Sequence, residues 1–259
     1  MMIGDKVINY LKNRKGNYGL YYYNLLSGEE VKYNANKTFP AASIIKIPIL
    51  CEFFKEVEEG KIKRDELIPI NMDDKVGGAG ILHELRDGIK MRLDELALLM
   101  ITLSDNNATN IIIDKLTMDN INSFLANRDC STRLQRKMMD FKARKNGKEN
   151  LTNALEIGSI LKDIYERKID GISNKHCEEI ISIMSKQIIR DKISFYIPED
   201  DWSKVASKTG TLDKVEHDAS IFDFSEQKFI LVILSKDLPT NAYGNITIAK
   251  TAKMIYDNL

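Results

Sequence analysis

Ser43 and Lys46 stand three residues apart in Phe39-Pro40-Ala41-Ala42-Ser43-Ile44-Ile45-Lys46, and a hydroxyl beside an amine can serve as an activated nucleophile. The pattern predicts a helix opening at Ser43, which puts both side chains on one face. A serine hydroxyl is nearly inert until a base takes its proton, and a lysine acts as that base only where burial or charge lowers its pKa. Ile44, Ile45, Ile47 and Ile49 supply apolar surroundings, and the helix end aims backbone N–H groups at charge developing on an attacked carbonyl. Spacing alone does not carry this chemistry. Ser225-Glu226-Gln227-Lys228 repeats it in a turn between two apparent strands, and capping is the ordinary task of a serine at a helix start.

Two further polar groups interrupt apolar stretches. Ser104-Asp105-Asn106-Asn107 ends the helical run Leu93 to Leu103, and Lys208-Thr209-Gly210-Thr211 follows a run of period two. Taken alone, the first is also an ordinary helix-to-helix corner. Val76-Gly77-Gly78-Ala79-Gly80 is flexible but matches neither nucleotide fingerprint. His83, His176 and His217 are scattered; surface positions are expected for them, no metal site is expected, and no cofactor is called for.

The elements that must position these groups follow from periodicity. A short helix over residues 3 to 13 precedes a hairpin of Gly19 to Leu26 and Glu30 to Tyr33. Helices are predicted over Ser43 to Glu59, Leu93 to Leu103, Ala108 to Leu116, Met118 to Ala126, Ala154 to Arg167 and Asn174 to Gln187. Residues 61 to 90 read as mostly irregular, and the basic stretch 128 to 150 as a solvated loop. Strands are then predicted over Lys204 to Lys208, His217 to Phe224 and Phe229 to Leu234, before a final helix from Ile246 to Tyr256. The expected fold is α/β (α+β): a five-stranded antiparallel sheet covered by the first and last helices, with an all-helical lobe inserted. Residues 1–40 and 190–259 would form the α/β lobe, residues 41–189 the helical one, with the cleft between them.

With 38 basic and 38 acidic residues the net charge is zero, so no overall field favours nucleic acid or an anionic membrane. A small-molecule substrate and a monomer are expected. Cys51, Cys130 and Cys177 lack metal-type spacing and read as buried free thiols. Charges at Asp5 and Lys6 break the apolar run a signal peptide would need, so the sequence as written is expected to be cytoplasmic, or secreted if a leader precedes it.

The order of Ser43 with Lys46, then Ser104 with Asp105 and Asn106, then Lys208-Thr209-Gly210 resembles the penicillin-recognising serine hydrolases, most closely the class A serine β-lactamases. The resemblance implies an acylated Ser43, Lys46 as its proton partner, Ser104 relaying a proton to the leaving nitrogen, and Asn106 holding the substrate amide. It implies that Lys208, Thr209, Gly210 and Thr211 form the strand against which the substrate lies, that Lys208, Thr209 and Thr211 bind its carboxylate, and that the backbone N–H groups of Ser43 and Thr211 form the oxyanion hole. Lys46 and Lys208 in one cleft would depress each other's pKa. Two departures accompany it. Where the family's deacylating glutamate would fall stands Met138, leaving Asp140 or Glu149 as the candidates, and no arginine follows Arg190 to help bind a carboxylate, which leaves Lys208 or Lys214. The implied activity is β-lactam hydrolysis; a related peptidase or esterase, or a penicillin-binding sensor that stays acylated, are the alternatives.

Overall fold

Alternating apolar side chains after Pro198 produce long strands in the computed structural model, which describes residues 3–258. In chain order, α1 (Ile3–Lys12) leads into β1 (Asn17–Asn24), β2 (Glu30–Tyr33) and the two-residue β3 (Phe39–Pro40). After α2 (Lys46–Glu58), β4 (Leu67–Ile70) and β5 (Ile89–Arg92) pair antiparallel across the stretch expected to be irregular. Helices α3 (Leu93–Thr102), α4 (Asn106–Leu116), α5 (Met118–Ala126) and α6 (Phe141–Lys145) precede the short β6 (Leu151–Thr152). Then come α7 (Ala154–Glu166), α8 (Asn174–Ser185), β7 (Val205–Leu212), β8 (Val215–Asp223), β9 (Lys228–Lys236) and α9 (Asn241–Tyr256).

The main sheet has the order β2-β1-β9-β8-β7, antiparallel throughout, so the expected five strands are present. Period two divides β9 between two cores: Phe229, Leu231 and Ile233 pack with Val7 and Leu11 of α1 and Ile248 and Ala252 of α9. On the other face, Ile230, Val232 and Leu234 join the core of the helices, where α7 lies on β9 and β1. Each fully buried side chain of this size contributes about 1.5–3 kcal/mol, so both sheet faces are strongly specified. Cys51, Cys130 and Cys177 are buried and free, as expected. Among the described residues no helix is long and apolar enough to cross a membrane.

Side-chain caps fix the helix starts that matter for the site. Asn153 Oδ1 accepts from Glu156 N at 2.9 Å at the start of α7, and Asp105 caps α4. β3 and β6 pair through Phe39 with Thr152 and Pro40 with Leu151, and Ala41 N donates to Asn150 O at 2.7 Å.

Candidate active site

β7 is an edge strand, and its free side packs on the turn that carries Ser43. Gly210 permits the approach: a Cβ there would lie 3.2 Å from both Ser43 N and Ala42 Cβ. The turn differs from the predicted helix start. Residues 42–45 wind as a 3₁₀ turn, and the α-helix begins only at Lys46. With about three residues per turn, positions 43 and 46 fall on one face of the chain. Ala41 and Ile45 hold the cap positions of the turn and of α2, so Ser43 caps neither.

Lys46 is fully buried, and its Nζ donates to Ser104 O at 2.7 Å, Ser104 Oγ at 3.1 Å and Asn106 Oδ1 at 3.2 Å. Burial pushes its pKa down to about 7, while the Asp105 charge pulls the other way. Ammonium and free amine therefore coexist near neutral pH, which suits a group that must take and return a proton. Lys208 is also fully buried, with Nζ donating to Thr209 O at 2.8 Å. Its pKa lies well below the ordinary value because of burial, reinforced by Lys46 and Lys192. The expected mutual depression is thus secondary to desolvation for Lys208, and burial accounts for Lys46.

Asp105 organises the corner between α3 and α4. Its Oδ1 accepts from Asn107 N and Ala108 N, both at 2.9 Å, and its Oδ2 from Ile81 N at 2.7 Å and Leu82 N at 2.9 Å. One carboxylate therefore ties the glycine-rich segment to the α4 N-terminus, where the helix dipole also favours it. Gly80 has φ +109°, and a Cβ there would collide with the Asp105 carboxylate and Cα. The same clamp holds Ser104 at φ +54° and thereby turns its hydroxyl and carbonyl toward Lys46. A non-glycine residue in this region carries strain that the surrounding bonds must offset.

Ser43, Asn106 and Thr211 line one cavity of about 200 Å³ together with Arg136, Met138 and Met139. Lys46 reaches it through its bond to Asn106 Oδ1, and Ser104 lies behind on the same amine. Thr209 is buried one residue along β7 from Lys208. Among the described residues, the cavity lining holds no aspartate or glutamate. Asp140 is exposed and accepts from Ala143 N at 2.8 Å, capping α6. Glu149 pairs with Arg136 at 2.7 Å and Arg144 at 2.9 Å, closing the neck of the loop that carries Met138. Neither acid lines the cavity.

Sequence reading missed three features here. Ala42 at φ +45° and Ser104 give no glycine signal for their backbone conformation. Asn150 fastens the loop neck by accepting from Gln135 N at 2.7 Å and Arg136 N at 3.0 Å, and the Asn-rich context hides it. His217 corrects the expectation of a surface histidine: it is fully buried, with Nε2 2.7 Å from Pro40 O.

A hydroxyl on a tight turn and a carboxamide at one cavity, backed by a buried amine of lowered pKa and a second hydroxyl bonded to it, form the equipment of a serine acyl-transfer hydrolase. A family model described as the β-lactamase enzyme family matches residues 3–259. β-Lactamase VEB-1 of Pseudomonas aeruginosa is 22% identical over 267 residues, covering 97% of this chain and 88% of that protein. A β-lactamase structure from Sphaerobacter thermophilus is similar with TM-score 0.88 and 24% identity, over 98% of this chain and 95% of that one. A mutant of PBP-A, in acyl-enzyme complex with penicillin G, gives TM-score 0.87 and 26% identity over 98% and 95% of the two chains. The chain belongs to the β-lactamase enzyme family, as a serine β-lactamase-like hydrolase.

Proposed function

We propose that this protein opens the amide of a small-molecule β-lactam by forming an acyl-enzyme on Ser43, and that it releases the acyl group slowly. The observation that carries the reading is the buried Lys46 amine, bonded to Ser104 and Asn106 beside the Ser43 turn, next to a cavity with no carboxylate among its described lining residues. In this scheme residues 1–40 and 190–259 form one lobe and residues 41–189 the other, and the substrate enters between them along β7.

Free Lys46 amine takes the Ser43 proton as Oγ attacks the lactam carbonyl. The oxyanion is received by the Ser43 and Thr211 backbone N–H groups, and losing one such donor costs about a hundred- to a thousandfold in turnover. Lys46 returns the proton through Ser104 Oγ to the lactam nitrogen, the C–N bond breaks, and Asn106 holds the substrate's side-chain amide. Lys208 and Thr209 support the substrate from β7. Hydrolysis of the ester then needs a base that can accept a proton from water, and the Met138 thioether cannot. The same absence supports a second reading, a penicillin-binding sensor or peptidase that stays acylated.

Intact mass after incubation with benzylpenicillin tests acylation. The expected adduct weighs one whole antibiotic, because ring opening loses no atom, and Ser43→Ala forms none. Turnover of a chromogenic cephalosporin separates slow hydrolase from sensor. Absence of an adduct on the wild-type protein overturns the proposal.

A further inference from the structure

Behind the rim of the cavity lies an ion pair that the proposed reaction does not use. Lys192 and Glu216 are both buried, with Nζ 2.7 Å from Oε2. Glu216 stands on β8 directly across from Thr211 of β7, and Thr211 is exposed on the cavity wall. The Thr211 hydroxyl touches both partners: Oγ1 accepts from Lys192 Nζ at 2.9 Å and donates to Glu216 Oε2 at 2.9 Å. These directions are forced, since an ammonium has only protons to give and a carboxylate only lone pairs. Asn241 Nδ2 also donates to Glu216 Oε1 at 2.6 Å, and Lys192 Nζ donates to Gly210 O at 3.3 Å.

Two consequences reach the cavity. The single proton of the Thr211 hydroxyl is committed to Glu216, so toward a ligand Oγ1 offers only a lone pair. The cation bonded to Thr211 is already neutralised by its partner, so a substrate carboxylate at this residue gains little from it. We infer that Glu216 is a specificity-determining residue: by holding Lys192 and the Thr211 proton it favours substrates that present a neutral or N–H-bearing group to this wall over those that present a carboxylate. The inference reverses the carboxylate-binding role that family resemblance implied for Thr211. It rests on the acyl-enzyme reading for its assay and on the ion pair for its chemistry.

The test compares benzylpenicillin with its methyl ester, measured as second-order acylation rates by intact mass. Glu216→Gln is expected to raise the acid-to-ester ratio at least about fivefold, because Lys192 is no longer neutralised and the wall gains positive charge. Lys192→Gln is expected to lower the ratio by a similar factor, and it carries the test with opposite sign if Glu216→Gln does not fold. A ratio that stays put, or moves the other way, overturns the inference. If neither compound acylates, the serine chemistry fails separately. The same ratio is then taken from dissociation constants by protein-observed NMR titration, where movement in the expected direction supports the role of Glu216 and no movement overturns it.

Discussion

His217 Nε2 donates to Pro40 O across 2.7 Å, joining β8 to the segment three residues before Ser43. At the other ring nitrogen, Nδ1, Ser235 N donates at 3.0 Å and Glu216 O lies 2.7 Å away, so backbone groups fix the imidazole through both nitrogens. Burial lowers its pKa to about 4. The unfolded chain binds this proton near pH 6.5 and the folded one only near 4, so stability contributed by His217 is complete above 6.5 and falls as pH drops toward 4. The loss over that window is about 3 kcal/mol. Asp218, with a pKa raised to about 6 by burial, acts in the opposite sense over an overlapping range, so the readout is a difference between proteins. Urea unfolding at pH 7 and pH 4.5 should show the wild type losing about 2–3 kcal/mol more than His217→Gln. Equal losses would remove His217 from the account.

Lys46 sets the second prediction. With a pKa of about 7 and a need for free amine, acylation by a penicillin should rise about tenfold from pH 6 to pH 8 and level off above. Lys46→Arg, which keeps the charge but cannot release its proton, should slow acylation by about 10³-fold. A flat profile from pH 6 to 9 would mean another group takes the Ser43 proton.

Met138 lines the same cavity as Ser43, anchored through Met138 N to Asn110 Oδ1 at 2.8 Å. Met138→Glu adds a carboxylate to a lining that has none among the described residues, and deacylation should speed up by about 10²-fold. Decay of the benzylpenicillin adduct, followed by mass, checks it. An adduct that persists unchanged in a folded variant would show that a base alone does not limit release.

Four backbone N–H groups converge on Asp105, and Asp105→Ala leaves them unpaired in a buried corner. The expected cost is about 3 kcal/mol or more, seen as a fall in Tm of about 6–12 °C. Gly80→Ala should fall in the same direction, through both φ and the collision with that carboxylate. Calorimetry that finds either variant as stable as the wild type would contradict the clamp.

Much of this architecture was legible because period two and period 3.6 each persist over long runs. β7, β8 and β9 were predicted within a few residues, and α5 over its full Met118–Ala126 span. α9 begins earlier than expected, at Asn241, because Thr240 Oγ1 accepts from Tyr243 N at 3.2 Å and starts a helix through residues that read as a turn. β3 and β6 have two residues each, too few for any period to register. The chemical groups were legible by type and order, whereas the left-handed backbone of Ala42 and Ser104 was not, since neither residue advertises it. The Lys192–Glu216 pair was equally hidden, its members separated by a strand and a 3₁₀ turn.

The short β3–β6 pairing has a mechanical consequence. Through Phe39, Pro40 and Ala41 the chain entering the nucleophile turn is stitched to residues 150–152, where the methionine-bearing loop ends. Serine and loop therefore share one anchor, and lengthening the loop at its far end leaves that anchor untouched. Insertions at the exposed Lys145–Lys148 tip should reshape what the crevice admits while the reactive hydroxyl keeps its bearing, which makes that tip the natural place to graft a new preference.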